Sequence, residues 1–335
     1  MVIDNDFFMK LALDEAWKFQ LLTYPNPAVG CCITDDENRL LAVEAHQKAG
    51  EAHAEVLALK TAYIKLTNDT DILTCKSSHE IHNYLLAHHN GCFKDVTLHV
   101  SLEPCSHQGK TPSCAKLIAA LGVKKVVIAS KDESQNAKGG CEILNNADVI
   151  TEFSSLQSKG DALLYPFLKW SKEHFVFFKW AQRLDGTIDG GTISSLESRT
   201  LVHQMRSRCD LLVIGGETVR RDRPTLDARL CEGRAPDVLI VSNQKEFDQT
   251  IPLFNIANRK VMIENSFDKI KDYRCVMIEG GAKMFESSKN IADAHLCFVA
   301  PKSGGTIRFT NQNESFELLH VRELSEDILI WMKIV

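Results

Sequence analysis

Four residues constrain this chain more than any others, and they stand in the segments GEAHAEVLAL and SLEPCSHQGKTPSC as His53, Glu55, Cys105 and Cys114. A neutral imidazole and two thiolates are three protein ligands for zinc. The fourth position, left to water, distinguishes a catalytic zinc site from a structural one. Glu55 is the general base that such a water needs. The fold therefore has to bring residues that are far apart in sequence into one pocket.

The segments around the first two ligands predict a helix start and a strand end. Ala52–Ala62 is rich in helix formers, so His53 and Glu55 are expected in the first turn of a helix. The apolar run Val96–Leu102 predicts a strand that ends shortly before Cys105.

A second helix start is predicted at the last ligand. Thr111 and Pro112 are typical of an N-cap and of the first helical position, which places Cys114 in the first turn of a helix Pro112–Leu121. The amide groups and the positive dipole end of a helix lower the pKa of a thiol and favour the thiolate that zinc binds. One strand end and two helix starts are thus expected to form one pocket.

Two other interpretations of these residues compete with the catalytic one. Any one of eleven cysteines is more often a small buried side chain than a ligand. A structural zinc site would need a fourth Cys or His, for which His107 is the local candidate. The simultaneous match of four residue types, each with fitting neighbours, favours the catalytic interpretation.

Composition restricts the class of protein. A length of 335 residues suggests two domains, and 44% hydrophobic and 25% charged residues are ordinary for globular chains. The net charge of −5 gives no basic field, so no nucleic-acid partner is expected. No apolar run is long enough to span a membrane, and the acidic N-terminus does not match a signal peptide. Eleven cysteines without a disulfide framework indicate the cytoplasm.

Residues 1–151 alternate strand and helix patterns and predict an α/β domain with a mixed sheet. Its strands are predicted at Val29–Thr34, Leu40–Glu44, Val96–Leu102, Lys124–Ser130 and Asp148–Phe153. An insertion with a helical part is predicted at about 67–94, and a polar connector at about 152–173. The insertion contains His79, His82, His88 and His89, so a second metal site is an alternative, although such polar stretches are more often solvated.

Residues 174–335 predict a second α/β domain. They lack the G-x-G-x-x-G fingerprint and are too few for a (β/α)₈ barrel. Strands are predicted at Phe175–Ala181, Leu211–Gly215, Val238–Ser242, Val261–Glu264, Cys275–Glu279, His295–Ala300 and in a C-terminal pair, and helices at Leu196–Arg208 and Lys283–Ser288.

Two glycine pairs in the second domain, Gly215-Gly216 and Gly280-Gly281, each follow an apolar strand and precede a helix. Such turns suit one extended phosphorylated ligand, such as a dinucleotide, that lies across strand ends. Arginines that could bind phosphate are frequent nearby. Tight turns and surface ion pairs explain the same residues, and spacing by itself leaves both interpretations open.

Longer segments resemble the RibD family of bifunctional riboflavin biosynthesis proteins. PNPAVGC, HQKAGEAHAE and SLEPCSHQGKTPSC resemble its deaminase domain, and KWAQRLDG, GETVRRDRPTLDAR, IEGGA and VAPK resemble its reductase domain. The similarity covers nearly the whole chain in the same order. Eight residues separate Cys105 from Cys114, whereas deaminases of nucleosides, tRNA and polynucleotides use P-C-x-x-C.

The resemblance implies a cytidine-deaminase-like α/β/α sandwich followed by a dihydrofolate-reductase-like α/β domain. It implies one Zn²⁺ per chain and NADPH as cofactors, a phosphorylated pyrimidine as substrate, and a homo-oligomer, dimer or tetramer. The first domain would hydrolyse the 2-amino group of 2,5-diamino-6-ribosylamino-4(3H)-pyrimidinone 5′-phosphate. The second would reduce the ribosyl group of the product to ribityl.

The resemblance also assigns roles by motif match. In the first domain Glu55 is the proton donor and acceptor, and the residues that hold the ring or the ribose phosphate are Asn26, His46, His107 and Lys110. In the second domain Lys179 and Asp222 are catalytic, and the residues facing substrate are Arg206, Leu226, Arg229 and Glu279. The residues facing NADPH are Gln182, Thr192, Thr218, Asp222, Ser242, Gly281, Ala282, Lys283, Met284, Phe285, Glu286 and Ser287.

Some positions depart from the family pattern. Ser113 replaces the commoner proline before the last ligand, and Thr192 stands where the family has a tryptophan beside the nicotinamide. The alternative function is a deaminase of nucleoside or nucleic-acid bases with a C-terminal domain that binds a nucleotide without reducing anything. A regulator that binds zinc and a nucleotide without catalysis is a further rival, which Glu55 argues against.

Overall fold

The computed structural model describes residues 4–107, 109–132, 139–309 and 313–335. Its contacts divide the chain into two units, Met1–Phe167 and Leu168–Val335, each with a hydrophobic core of its own. The division falls within one helix, Gln157–Lys172.

The first unit is built on a five-stranded sheet. In chain order its elements are α1 (Asn5–Trp17), β1 (Gly30–Thr34), β2 (Leu40–Ala45), α2 (Ala54–Thr67), a 3-10 turn (Asp71–Thr74), α3 (Ser78–His88), β3 (Thr97–Leu102), α4 (Cys114–Ala120), β4 (Lys125–Ser130), α5 (Gly140–Asn145) and β5 (Ile150–Phe153). The strand order is β2-β1-β3-β4-β5. β1 is antiparallel to both neighbours, and β3, β4 and β5 are parallel, so the sheet is mixed.

Alternation along β1 separates the two faces of this sheet. Cys31 and Ile33 lie in the main core with α2 and α4, whereas Cys32 lies in a smaller cluster with Phe8 and Ala12 of α1. α1 approaches so closely that a Cβ on Gly30 would lie 1.9 Å from the Ala12 carbonyl oxygen. Helices on both faces make the predicted α/β/α sandwich.

The insertion is packed into the first core. Ile81 and Leu85 of α3 are buried in the same cluster as α2 and β3. A capping box starts α3, because Ser77 Oγ accepts from the Glu80 amide while the Glu80 carboxylate accepts from the Ser77 amide. The segment before α3 is fixed by Asp69, whose carboxylate accepts hydrogen bonds from two tyrosine hydroxyls of α2 and α3 at 2.8 and 2.7 Å.

The second unit carries an eight-stranded sheet. From the boundary onward its elements are α6 (Gln157–Lys172), β6 (Phe175–Arg183), α7 (Leu196–Arg208), β7 (Leu211–Gly215), α8 (Gly216–Asp222), β8 (Asp237–Val241), β9 (Val261–Glu264), β10 (Cys275–Glu279), α9 (Ala282–Ser288), β11 (Ala294–Ala300), β12 (Phe316–Leu324) and β13 (Asp327–Ile334). The strand order is β12-β13-β11-β6-β10-β7-β8-β9. Six strands are parallel to one another: β11, β6, β10, β7, β8 and β9. The hairpin β12–β13 extends the sheet at the β11 edge, where β13 pairs with β11 in the antiparallel direction.

Most predicted elements are present with ends that shift by one or two residues. The helix at His53 is longer than predicted, and His53 is its N-cap residue while Glu55 stays in the first turn. β6 continues to Arg183, past the predicted end at Ala181. The extension occurs because β11 pairs with β6 as far as Arg183.

Candidate active sites

The candidate metal centre of the first unit is formed by the start of α2, the segment after β3 and the start of α4. His53 is the N-cap residue of α2, Cys105 follows β3, and Cys114 is the first residue of α4. Within the described ranges these three residues form the cluster whose ligand atoms all lie within 4.8 Å of one another. The histidines of the insertion are not part of any such cluster there.

The three donor atoms have the spacing that a tetrahedral zinc ion requires. Zn–N and Zn–S bonds of about 2.0 and 2.3 Å give a tetrahedron with an N···S edge of roughly 3.5 Å. His53 Nδ1 lies 3.7 Å from Cys105 Sγ and 3.4 Å from Cys114 Sγ. The residues therefore fit zinc with three protein ligands.

The second ring nitrogen of His53, Nε2, is in contact with a hydroxyl group. Thr111 Oγ1 lies 3.1 Å from His53 Nε2, and such outer contacts fix the orientation of a ligating imidazole. The prediction that Thr111 caps α4 is wrong. Ser113 is the N-cap, since its hydroxyl accepts from the Lys116 amide, and the helix begins at Cys114.

The charge state of the donors follows from their burial and contacts. Hydrogen bonds from Cys114 and His53 outweigh burial and lower the pKa of the Cys105 thiol to about 4. The Cys105 thiolate and burial then raise the pKa of Cys114 well above its usual value. A cation is needed before both sulfurs can be thiolates, which is what zinc supplies on binding.

Glu55 lies directly beside the donor set. Its side chain is buried, and burial raises the pKa of the carboxyl even though His53 opposes the shift. It also shares a hydrogen bond with the Cys114 thiol. A carboxyl with a raised pKa can both accept and return a proton near neutral pH.

Two further predicted residues reach this centre. The Asn26 amide nitrogen lies 3.2 Å from His46 Nε2, and His46 Nδ1 lies 3.1 Å from the Ala52 carbonyl oxygen. The rings of His46 and His53 pack edge to face at 5.3 Å. Burial lowers the pKa of His46 to about 4, so its imidazole is neutral.

The remaining predicted residues of the first unit are at the surface. His107 and Lys110 are exposed on the segment between Cys105 and α4. Gln108, within the same motif, lies outside the described residues.

In the second unit the two glycine pairs lie at the same edge of the sheet. β7 and β10 are parallel neighbours, so Gly215-Gly216 and Gly280-Gly281 lie side by side at their carboxyl ends. An ion pair of 2.9 Å between Lys283 of α9 and Glu217 of α8 joins the two helices after these turns. This edge is where open α/β sheets bind ligands, which fits a dinucleotide.

Two of the four glycines have a packing reason. A Cβ on Gly216 would lie 2.6 Å from the Cβ of Ser242, and a Cβ on Gly280 would lie 2.4 Å from the Cβ of Met284. The absence of a side chain there serves close packing of the turns against neighbouring residues. Ser242 itself follows β8, and its hydroxyl accepts from Arg220 at 3.1 Å.

A buried charge cluster lies beside these turns. Glu279 ends β10 in register with Lys179 of β6, and Arg206 of α7 donates to both Glu279 oxygens at 2.9 and 2.8 Å. Arg206 and Lys179 outweigh burial and hold the pKa of Glu279 at about 2, whereas burial lowers the pKa of Lys179. The structure therefore brings together Lys179, Arg206 and Glu279 as predicted neighbours.

The other predicted site residues of the second unit lie outside the buried charge cluster described above. Asp222 is exposed and pairs with Arg221 at 2.7 Å, and Arg229 pairs with Asp227 at 2.6 Å. Leu226 is buried with a positive φ of 55°. Gln182 accepts from the Trp180 indole at 2.8 Å. Thr192 is exposed, and Thr218 lies in α8.

Sequence reasoning missed two contacts at these sites. Thr111 was interpreted as a cap, and its hydroxyl position beside His53 had no local signal in the sequence. Arg220 was given no role of its own, yet its guanidinium stacks on the Phe247 ring at 4.3 Å while it donates to Ser242. Both contacts join segments that are distant in the chain.

Comparison with known proteins assigns both units. The sequence profile described as "Cytidine and deoxycytidylate deaminase zinc-binding region" matches residues 3–130, and the "RibD C-terminal domain" profile matches residues 174–330. The riboflavin biosynthesis protein RibD of Aquifex aeolicus is 28% identical over 379 residues, covering 99% of this chain and 98% of that protein. The chain belongs to the RibD family.

Relatives and solved structures agree with this assignment. The RibD protein of Escherichia coli is 30% identical over 240 residues, which is 69% of this chain and 57% of that protein. A Thermotoga maritima crystal structure superposes with a TM-score of 0.65 and 25% identity, covering 99% of both chains. That protein is described as a diaminohydroxyphosphoribosylaminopyrimidine deaminase and 5-amino-6-(5-phosphoribosylamino)uracil reductase.

Membership of the RibD family confirms several predictions. The chain is an enzyme of riboflavin biosynthesis with a deaminase and a reductase domain, and it uses zinc and NADPH. The predicted fold class, a deaminase-like sandwich followed by an α/β reductase domain, is confirmed as well. Within the described ranges, no helix has the length and hydropathy of a membrane span.

Proposed function

We propose that this RibD protein catalyses two successive steps on one phosphorylated pyrimidine. The first unit hydrolyses the 2-amino group of 2,5-diamino-6-ribosylamino-4(3H)-pyrimidinone 5′-phosphate and releases ammonia. The second reduces the ribosyl group of the product, 5-amino-6-(5-phosphoribosylamino)uracil, to ribityl with NADPH. The observation that carries the proposal is a three-ligand zinc cluster next to a buried glutamate, in a chain that aligns with RibD over 99% of its length.

The first step requires a nucleophilic water and a group that moves protons. A zinc ion bound by His53, Cys105 and Cys114 supplies the Lewis acid that makes water nucleophilic near neutral pH. Glu55 takes a proton from the attacking water, and the new C–O bond forms at the ring carbon that carries the amino group. Glu55 gives this proton to the ring nitrogen and then carries the proton of the new hydroxyl group to the amino group, so that ammonia leaves as the C–N bond breaks and the C=O bond forms.

The contacts of Asn26 support its role in holding the ring. A neutral His46 with its proton on Nδ1 donates to the Ala52 carbonyl and accepts from the Asn26 amide at Nε2. That arrangement uses an N–H of Asn26 and leaves its Oδ1 to accept from a pyrimidine N–H or amino group. His46 thus orients Asn26 for an amino-pyrimidine.

For the second step the charge cluster at the sheet edge favours a ribose substrate. Hydride from NADPH goes to C1′ of the ring-opened ribosylamine, and a proton goes to its nitrogen. Arg206 and Glu279 offer a fixed donor and acceptor pair, and Lys179 lies beside them. Asp222 is proposed to handle the proton, and its exposed carboxylate has to turn away from Arg221 to do so.

We further propose a cytoplasmic protein that forms a dimer or tetramer and binds no nucleic acid. All eleven cysteines are free, and the net charge is −5, which supports a reducing compartment and a small-molecule substrate. Light scattering of the purified chain measures the oligomer directly.

One incubation tests both steps. The purified protein is given the diaminopyrimidinone phosphate, zinc and NADPH, and the product mass is measured. The mass of 5-amino-6-ribitylaminouracil phosphate is expected. Ammonia release without NADPH oxidation would contradict the reductase half, and turnover of a nucleic-acid or nucleoside base instead would overturn the deaminase half.

The role of the buried glutamate has a sharper test. The variant Glu55→Gln keeps the three zinc ligands, so zinc content should be unchanged while ammonia release falls by roughly 10²-fold or more. The exposed Glu142→Gln is the matched control, in the first turn of α5, and should retain activity. Ammonia release by Glu55→Gln at the rate of the control would refute the role of Glu55.

A further inference from the structure

The loop that follows α8 carries two of the residues predicted to face the substrate of the second unit, Leu226 and Arg229. It has no regular secondary structure over residues 223–228. Leu226 is buried and has a φ of 55°. This left-handed region is strained for a residue with a Cβ, and a leucine stays in it only where its surroundings hold the backbone. Groups outside the loop therefore have to hold its conformation.

Arg259, which lies shortly before β9, binds this loop through its guanidinium group. It donates to the Thr225 carbonyl oxygen at 2.9 Å and to the carbonyl oxygen of Leu226. It also donates to the Pro236 carbonyl oxygen at 2.9 Å and to that of Leu253 at 3.5 Å. One planar side chain thus joins the loop to two other segments, which a lysine ammonium cannot do with the same geometry.

The charge of Arg259 is not used in an ion pair. Among the described residues no carboxylate oxygen lies within 4.0 Å of its guanidinium, and all its hydrogen bonds there go to backbone carbonyl oxygens. The neighbouring Arg223 and Arg229, by contrast, each pair with an aspartate. Burial lowers the pKa of Arg259 to about 10, so the side chain remains charged at neutral pH. Its contacts hold backbone in place rather than balance a charge.

The same loop is joined to the buried charge cluster of the second unit. Arg206, which binds Glu279, also donates to the Asp227 carbonyl oxygen at 3.4 Å. Three consecutive carbonyl groups of the loop, at residues 225–227, are therefore bound by two arginines from outside it. These contacts connect the backbone of the loop to the cluster that we assign to the ribose substrate.

We propose that Arg259 is a positioning residue of the reductase site, which fixes the backbone of this loop so that Leu226 and Arg229 face the pyrimidine substrate. Arg259 acts through the loop and does not touch the substrate itself. The segments that resemble the RibD family do not include it. The inference rests on the proposed reduction of the ribosyl group.

The experiment measures NADPH oxidation by the full-length protein with 5-amino-6-(5-phosphoribosylamino)uracil. The variants are Arg259→Ala, Arg229→Ala and the double variant, and Arg259→Lys keeps the charge without the planar set of donors. Arg234→Ala is the matched control, because Arg234 is exposed and forms no hydrogen bond or ion pair with the described residues.

Both Arg259 variants should lower kcat/KM for the pyrimidine by roughly 10–100-fold, mainly through KM, because a displaced loop misplaces the residues that hold the substrate. KM for NADPH should stay unchanged, which a general loss of structure in the second unit would not allow. In the Arg229→Ala background, Arg259→Ala should have a much smaller effect, because one of the residues that it positions is already absent.

Three results would overturn the inference while the proposed reduction stands. Arg259→Ala behaves like Arg234→Ala, or KM for NADPH rises by the same factor as KM for the pyrimidine, or the effects of Arg259→Ala and Arg229→Ala multiply in the double variant. If Arg259→Ala does not fold, Arg259→Lys and its combination with Arg229→Ala decide between the same results. A wild type that does not oxidise NADPH with this pyrimidine would overturn the proposed reduction, and the inference with it.

Discussion

Replacing Arg206 by methionine tests how much the buried ion pair of the second unit stabilises the fold. The Arg206 and Glu279 side chains are 12% and 13% exposed, and two hydrogen bonds join them. The variant leaves Glu279 buried with Lys179 as its remaining neighbouring cation. We expect the reductase unit to lose stability at neutral pH, because a buried carboxylate without its main partner is costly.

The size of the loss follows from the shift in the pKa of Glu279. A decrease from 4.5 to about 2 corresponds to about 3 kcal/mol in favour of the ionised, folded state. Because the folded-state pKa is depressed, this contribution is present above pH 4.5 and is lost as the pH falls towards 2. Breaking a buried pair costs about 3–5 kcal/mol in other proteins, so we expect about 3 kcal/mol at pH 7.

Urea unfolding followed by tryptophan fluorescence measures the effect. Trp170, Trp180 and Trp331 lie in the second unit, so its transition dominates the signal. The double variant R206M/E279Q should be more stable than R206M alone, because it removes the unpaired charge.

The control is R208M, a change in the last turn of the same helix. Arg208 forms no ion pair among the described residues, and its loss should change stability by less than about 0.5 kcal/mol. The reasoning fails if R206M costs no more than R208M at pH 7, or if adding E279Q makes R206M less stable still.

Two further predictions concern the first unit. In T111V the hydroxyl contact to His53 is lost, so zinc affinity should fall roughly 10–100-fold, as chelator competition would show, and unchanged affinity would contradict the orienting role. In H99L a buried imidazole with no hydrogen-bond partner in the described residues is removed, so unfolding at pH 7 should require about 1 kcal/mol more free energy. Burial lowers the pKa of His99 from 6.5 to about 4, and the unfolded chain therefore binds the extra proton between these values. The wild type should accordingly lose stability relative to H99L as the pH falls from 6.5 towards 4, and parallel stability curves would refute this.

Many helices and strands could be predicted from the sequence because the patterns that specify them lie within each segment. β7, β9, β10 and α7 begin and end where the apolar runs and helix patterns predict. The ligand set of the metal centre could also be predicted from sequence. One histidine and two cysteines with an acid close to the histidine are typical of a hydrolytic zinc site, and this pattern depends only on residue type and spacing.

The errors have a common cause. The sequence pattern predicted Thr111 as the N-cap of α4, whereas the structure has Ser113 at that position. The Ser113 hydroxyl accepts from the Lys116 amide, while the Thr111 hydroxyl lies 3.1 Å from Nε2 of His53, the N-cap residue of α2. β6 likewise extends past its predicted end at Ala181 because a distant strand, β11, pairs with it.

The sequence by itself predicted the zinc ligands, the acid beside them, the two-domain order and the resemblance to the RibD family, since these depend on residue type, spacing and order along the chain. Only the tertiary structure decided which distant segments meet at each site. It placed Arg259 against the loop that carries Leu226 and Arg229, and it joined Arg206 to Glu279. The physical reason is that burial, pKa shifts and the hydrogen bonds of a loop are set by contacts between distant segments, which strand pairing and core packing create.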